Sequence, residues 1–127
     1  MTDSKISIRP IITTIQETSF SSLESFQNTT LRPIIKLQHP ILIELFKNTI
    51  DQNKGDFNNL KKISKKEFIT NELRKNIPLR NQVIGIVVGM FTPEEFFQYT
   101  ELKSDLDRRI VNISIERLHN SLEELNH

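Results

Sequence analysis

The stretch Pro78–Phe97, PLRNQVIGIVVGMFTPEEFF, constrains the fold of this chain more than any other part of the sequence. It contains one long apolar run, Val83–Phe91, that only two glycines interrupt. Directly after the run, Thr92, Pro93 and Glu95 form a helix start, because threonine caps, proline suits the first helical position and glutamate bonds back to the threonine N–H. The sequence therefore predicts a buried segment that meets a new helix with almost no loop, as at a corner in a packed core.

The apolar run itself is compatible with two structures. From Val83 onwards its apolar residues lie on all sides of a helix, which predicts a fully buried central helix that Gly89 closes. Five of these residues are β-branched valines and isoleucines, and a buried strand suits them as well. We predict the helix, with Gly85 at a point where another helix crosses closely.

The first half of the chain predicts a short helix, Ser21–Asn28, and a longer one, Leu31–Ile50, whose apolar residues recur at helical spacing. Pro33 falls in the first turn of the longer helix, where a missing N–H is tolerated. Pro40 falls in its interior and is expected to kink it, because the ring removes the bond to the carbonyl four residues earlier. The segment Asp51–Asn59 is predicted to be a loop.

The second half of the chain contains two further helix starts. Ser64 and Glu67 form a predicted capping box that opens a helix ending near Asn76. Ser104 is the predicted cap of the last helix, which runs to about Leu125. The apolar residues of this last helix follow heptad spacing and are Val111, Ile115, Leu118, Leu122 and Leu125.

These patterns together predict an all-α protein. Residues 21–127 form a single bundle-like domain of five or six helices with a buried central helix, and 127 residues is the length of one domain. Residues 1–20 precede it as an extended amino-terminal arm, because Pro10 interrupts a weak alternation of isoleucines. The alternative for this arm is partial disorder.

The composition excludes several classes of function. The net charge of +1 provides no general attraction for nucleic acid or for anionic membranes. Because the chain has no Cys, it has no disulfide, thiolate metal site or cysteine nucleophile. No apolar stretch approaches the roughly 18 residues that a membrane helix needs, and no signal peptide is evident, so we expect a cytoplasmic protein.

No set of residues has the spacing of a catalytic or metal centre. The chain has three histidines, His39, His119 and His127. They do not have the close helical spacing of a metal-binding pair. We predict no catalytic residue, no metal ligand and no cofactor, which favours a protein that is not an enzyme. The side chains best suited to contact an anion or a partner are Arg80, Tyr99, Arg108 and Arg109.

The densest basic cluster is Lys61–Lys66, which contains four lysines. It precedes two predicted helices with a short break between them, an outline similar to a helix-turn-helix. The second of these helices contains VIGIVVGM, which is suited to a core and not to a DNA groove. Nucleic-acid binding is therefore the less favoured interpretation, and a solvated surface is the default.

Three stretches resemble a group of short, uncharacterised helical bacterial proteins. They are FQNTTLRPIIKLQ (Phe26–Gln38), PLRNQVIGIVVGMFTPEEF (Pro78–Phe96) and DRRI (Asp107–Ile110). The resemblance covers most of the chain after Phe26, and its middle stretch is fairly specific. It implies a helical fold and supplies no catalytic residue. Some members of the group are labelled glyoxalase, which implies a small metal-dependent lyase or isomerase as an alternative function.

The function that the sequence favours is protein–protein contact, with an unidentified protein partner or with a second copy in a homodimer. The apolar arm and the heptad positions of the last helix together offer more apolar surface than one small domain readily covers. The alternatives are the lyase or isomerase implied by the resemblance and a nucleic-acid-binding module that uses the Lys61–Lys66 region.

Overall fold

The computed structural model describes residues 5, 8–9, 22–53 and 56–126. These residues form a single domain of packed helices and contain no strand, which confirms the predicted all-α fold. The predicted arm of residues 1–20 lies outside the described residues, except for Lys5, Ile8 and Arg9. The helices are α1 (Ser22–Phe26), α2 (Arg32–Leu37), α3 (His39–Gln52), α4 (Lys62–Lys75), α5 (Ile77–Val88), α6 (Pro93–Glu101), α7 (Lys103–His119) and α8 (Leu122–Leu125). A π-helical turn, Gln27–Leu31, joins α1 to α2, and a 3-10 turn covers Phe57–Asn59.

The core is organised around α7, not around the predicted central helix α5. The π-helical turn, α2, α4, α5 and α6 all pack on α7. Its buried residues cover most of its circumference and are Leu106, Asp107, Ile110, Val111, Ile113, Ser114, Ile115 and Leu118. A helix that is apolar on most sides belongs in the interior of a bundle, and α7 occupies that position.

The stretch Ile77–Val88 is a helix, as predicted, but it is not fully buried. Only Leu79, Val83 and Val87 are buried in it. Gly85 is exposed, and apart from the adjacent backbone of its own helix and its chain neighbours, a Cβ placed there meets no heavy atom of the described residues within 4 Å. The prediction of a close helix crossing at Gly85 is therefore wrong. The apolar sequence packs one side of α5 on α4 and α7 and leaves the other side partly in solvent.

The predicted corner between α5 and α6 is present. The first helix ends at Gly89, where the backbone is right-handed (φ −60°, ψ −16°) and not the left-handed form usual for a glycine cap. The Thr92 Oγ1 accepts the Glu95 N–H (3.2 Å), and the Thr92 N–H donates to Glu95 Oε1 (2.9 Å), so the predicted capping box is confirmed. Between α5 and α6, Phe91 is buried, and its ring packs edge-on against the ring of Phe26 with centroids 5.5 Å apart.

The arm is attached to this corner by two of its described residues. The guanidinium of Arg9 forms a fork on Glu95, with both Nη–Oε distances 2.7 Å, and also donates to the Met90 carbonyl (2.6 Å). The Lys5 ammonium donates to the Phe91 carbonyl (3.2 Å). Both cations thus satisfy carbonyls just beyond the end of α5, where positive charge is favoured.

The predicted helix Leu31–Ile50 is divided into two. The chain leaves helical geometry at Gln38 (φ −88°, ψ 8°), and α3 begins at His39. Pro40 therefore lies in a first turn, where it removes no intrahelical bond, and the expected kink within one helix is instead a break between two. Pro33 follows the π-helical turn, a local widening of the helix that the sequence analysis did not predict.

Two of the predicted capping residues are wrong. Helix α4 begins at Lys62 and α7 begins at Lys103, each without a side-chain cap, so Ser64 and Ser104 lie inside their helices. An unpredicted cap is present instead at Asn76, whose Oδ1 accepts the Leu79 N–H (3.2 Å). Ser21, the first residue of the predicted helix Ser21–Asn28, lies outside the described residues.

The last predicted helix ends at His119, and a turn separates it from α8. Four of its five heptad residues are buried within the chain: Val111, Ile115, Leu118 and Leu125. Leu122 is partly buried against the same core. The part of the self-association surface that lies on this helix is therefore used inside the protein, whereas the apolar arm lies mostly outside the described residues, and the homodimer stays a prediction.

Candidate functional site

An open polar furrow runs along α7 on the side that faces the segment 27–37. Two adjoining cavities of about 400 and 360 Å³ form it, and both are lined by Arg32, Ile113 and Glu116. We call it the arginine furrow. Its first end, the Arg109 end, is also lined by Gln27, Asp105, Arg108, Arg109 and Asn112. Its second end, the His39 end, is also lined by Lys36, His39, Arg117, Asn120, Ser121 and Glu124.

Helical spacing places most of the furrow side chains on one face of α7 and one face of α2. On α7 the polar positions recur every three or four residues, which keeps them on the face opposite the core. They are Asp105, Arg108, Arg109, Asn112 and Glu116, and Arg117 lies beside this face, next to Glu116. On the facing segment, Arg32 and Lys36 are four positions apart and therefore share a face of α2. Direct packing of α2 on α7 brings the two basic faces to the same furrow.

Three arginines of the furrow are oriented by neutral acceptors. The contacts are Arg32 Nε to Asn28 Oδ1 (3.3 Å), Arg109 Nη1 to Gln27 Oε1 (2.9 Å) and Arg117 Nη1 to His39 Nδ1 (3.2 Å). None of the three has a carboxylate oxygen within ion-pair distance among the described residues. A neutral acceptor fixes a guanidinium without cancelling its charge, and most of its five N–H groups stay available. The arrangement thus suits an incoming anion.

His39 connects Arg117 to an acid on α8. Its Nε2 lies 3.0 and 3.1 Å from the two carboxylate oxygens of Glu124, while its Nδ1 faces Arg117. Arginine only donates, so in this geometry Nδ1 accepts from Arg117 and the ring N–H on Nε2 donates to Glu124. The hydrogen bond from His39 lowers the pKa of Glu124. The chain Glu124–His39–Arg117 therefore holds the guanidinium at the His39 end.

The furrow has an excess of positive charge. Its cationic residues are Arg32, Lys36, Arg108, Arg109 and Arg117, and its acids are Asp105, Glu116 and Glu124. Without counting His39, five cations against three acids give a net charge of +2. Arg108 is the one arginine of the furrow with an ion pair among the described residues, to Asp105 (2.5 Å), and both side chains are largely in solvent. The excess charge therefore belongs to the residues without a carboxylate partner.

The structure separates the four side chains that the sequence selected. Arg108 and Arg109 line the furrow together. Tyr99 is buried away from it, and its hydroxyl donates to Asp107 Oδ1 (2.5 Å). Burial, together with the hydrogen bond to Asp107, raises the pKa of Tyr99, and the nearby charge of Arg80 opposes this shift. Arg80 and Tyr99 thus belong to the surroundings of a core carboxylate.

The sequence analysis missed most of the furrow, namely Arg32, Lys36, Arg117 and the part played by His39. The spacing of Asn28, Arg32 and Lys36 was an available signal, because residues four apart share a helix face. That this face meets the polar side of α7 depends on tertiary packing. A single sequence does not specify that contact.

Part of the Lys61–Lys66 region forms contacts within the same chain. Lys65 donates to Asn126 Oδ1 (3.0 Å), and its ammonium lies 5.4 Å from the centre of the Phe57 ring. The Lys66 carbonyl lies 3.0 Å from His119 Nε2. Lys61 and Lys62 are exposed.

Two findings concern the described residues as a whole. They contain no group of three or more His, Asp or Glu side chains arranged to hold a metal ion, and His127 lies outside them. No helix among them is long and apolar enough to cross a membrane.

Comparison with known proteins gives no relative for this chain. No protein-family model matches it, and neither the curated proteins nor the solved structures include a match.

Proposed function

We propose that this protein acts by binding another protein, and that the arginine furrow takes an acidic segment of that partner. The observation that carries the proposal is the set of three arginines held by neutral acceptors, Arg32, Arg109 and Arg117. Each keeps its charge and its remaining donors for a ligand. Arginine is enriched at protein interfaces because its planar fork pairs with carboxylates through two hydrogen bonds.

The dimensions of the furrow support a chain segment as the ligand. Asp105 and Arg117 are twelve positions apart on α7, which is about 18 Å at 1.5 Å per residue. An extended peptide of five or six residues covers about the same distance. Cationic side chains distributed over such a length suit several acidic groups on one chain, and the excess positive charge accelerates their encounter.

The proposal is tested with a short acidic peptide. The probe is a fluorescein-labelled octapeptide with Glu at alternate positions, and its control carries Gln at the same positions. We expect the full-length protein to bind the Glu peptide, more weakly as salt is raised, and not the Gln peptide. The triple variant R32Q/R109Q/R117Q is expected to lose at least tenfold in affinity while keeping its helical circular dichroism spectrum.

A matched variant controls for net charge. K61Q/K62Q/K75Q also removes three positive charges, from exposed residues outside the furrow, and is expected to bind the Glu peptide like the unmodified protein. The proposal fails if the unmodified protein does not bind the peptide, or if the two triple variants lose equal affinity. Random-sequence duplex DNA is measured in parallel, since tighter DNA binding that the lysine variant abolishes would favour the nucleic-acid alternative.

A further inference from the structure

The arginine furrow has two separate places of excess positive charge. Arg32 and Glu116 line both cavities, and as one cation and one acid they add no net charge to either end, although they do not form an ion pair. At the Arg109 end, two cations, Arg108 and Arg109, then face the single acid Asp105, which leaves +1.

The His39 end gives the same result. Lys36 and Arg117 face the single acid Glu124, which again leaves +1 when His39 is not counted. One carboxylate of a ligand therefore balances the remaining positive charge at each end. The guanidinium that a neutral acceptor orients is Arg109 at the first end and Arg117 at the second.

We infer that the furrow recognises an extended segment of a partner protein that carries two carboxylate side chains four residues apart; this rests on the proposed function. Arg109 and Arg117 are eight positions apart on α7, so their helix positions are separated by about 12 Å. An extended chain advances about 3.3 Å per residue, so four residues cover about 13 Å. Side chains four apart in a strand also point to the same face.

Other spacings fit less well. Two residues of extended chain cover only about 7 Å. A spacing of three or five directs the second carboxylate away from the furrow, because alternate side chains point to opposite faces.

The furrow suits a ligand in extended conformation better than a helical ligand. Its walls are α7 and the segment 27–37, and these elements pack directly on one another. A helix is about 10–12 Å across with its side chains. An extended chain is narrower and can approach both rows of arginines.

The test uses decapeptides of identical composition, acetylated and amidated so that two Glu residues carry the only charges. In otherwise Gly/Ser sequences the Glu residues are placed two, three, four or eight positions apart, and binding to the full-length protein is followed by fluorescence anisotropy. We expect the four-residue spacing to bind at least fivefold more tightly than the two- and three-residue spacings. R109Q and R117Q are each expected to reduce that preference to less than twofold.

The outcomes separate this inference from the proposed function. Equal affinity for all spacings, with binding still lost in R32Q/R109Q/R117Q, would overturn the inference and leave the proposed function standing. Strongest binding at a spacing of eight would indicate a helical ligand and would likewise overturn it. If neither these peptides nor the Glu octapeptide binds, the proposed function fails as well.

Discussion

Glu95 has three partners, which tie three parts of the chain together. It caps α6 through Thr92, receives the fork of Arg9 from the arm, and accepts a longer bond from Thr30 (3.3 Å). Burial by itself would raise the pKa of Glu95, but the hydrogen bonds and charge of Arg9 and the Thr92 N–H outweigh it, so the pKa is lowered. One carboxylate thus stabilises both a helix start and the attachment of the arm.

The lowered pKa predicts how stability depends on pH. The unfolded chain has the ordinary Glu pKa of about 4.3, so between the two pKa values it binds more protons than the folded protein. The carboxylate therefore contributes stability above the unfolded-state pKa, and this contribution is lost as the pH falls through the folded-state pKa of Glu95. We expect the free energy of unfolding to fall more steeply below about pH 5 in the unmodified protein than in E95Q. Urea melts at several pH values measure this, and parallel curves would contradict it.

Gly85 gives a second prediction at the scale of one residue. It is exposed inside α5, and an added methyl group meets open space in the described chain. Because alanine has the higher helix propensity, G85A is expected to stabilise the protein by about 1 kcal/mol in denaturant melts. The matched variant G89A places its methyl group 3.1 Å from the Gly85 carbonyl oxygen and is expected to be less favourable. A loss of stability in G85A would mean that α5 is more closely packed than described.

The starts of the helices are the informative feature at the scale of elements. Thr92 and Asn76 cap through their side chains, whereas α4 starts without such a bond. The sequence pattern Ser64–Glu67 satisfies the capping rule as well as Thr92–Glu95 does. The difference is that helix α4 begins three residues earlier than that rule predicts, because its N-cap is Lys61 and not Ser64.

These starts predict opposite results for two similar substitutions. N76A removes an acceptor that satisfies the Leu79 N–H and is expected to cost about 1 kcal/mol. S64A changes a residue inside a helix and is expected to be neutral or slightly stabilising, because alanine is the better helix former. Thermal or urea melts of both variants decide the matter. A cost of similar size in S64A would place the start of α4 at Ser64 after all.

At the scale of the whole molecule, the sequence predicted the features that depend on residues close to one another along the chain. Helical periodicity and the Thr92–Glu95 box identified the all-α fold and the α5–α6 corner. The attachment of Arg9 to Glu95 was not predicted, because the two residues are 86 positions apart and no local pattern links them. The burial of α5 was overestimated for a related reason. An apolar helix is buried only where neighbours cover it, and α7 takes the central position.

The candidate site likewise contains residues that a local sequence pattern indicates and residues that only tertiary packing brings to it. Arg108 and Arg109 were selected as side chains suited to contact an anion or a partner, and the structure places both in the arginine furrow. Arg32 and Lys36 complete it only because α2 packs on α7. Tyr99 was selected as a candidate contact for an anion or a partner, but its ring is buried and its hydroxyl donates to Asp107. The polar pattern of one helix is thus visible in the sequence, whereas its partner face is not.

The most direct test of the central claim is to locate the bound acidic peptide on the protein. Uniformly ¹⁵N-labelled protein is titrated with the Glu octapeptide, and backbone amide shifts are followed by NMR. We expect the perturbed amides to cluster in the segment 27–39 and along 105–124, with the corresponding shifts absent in R32Q/R109Q/R117Q. Shifts that cluster at Lys61–Lys66, or that persist unchanged in the arginine variant, would contradict the assignment of the furrow as the binding site.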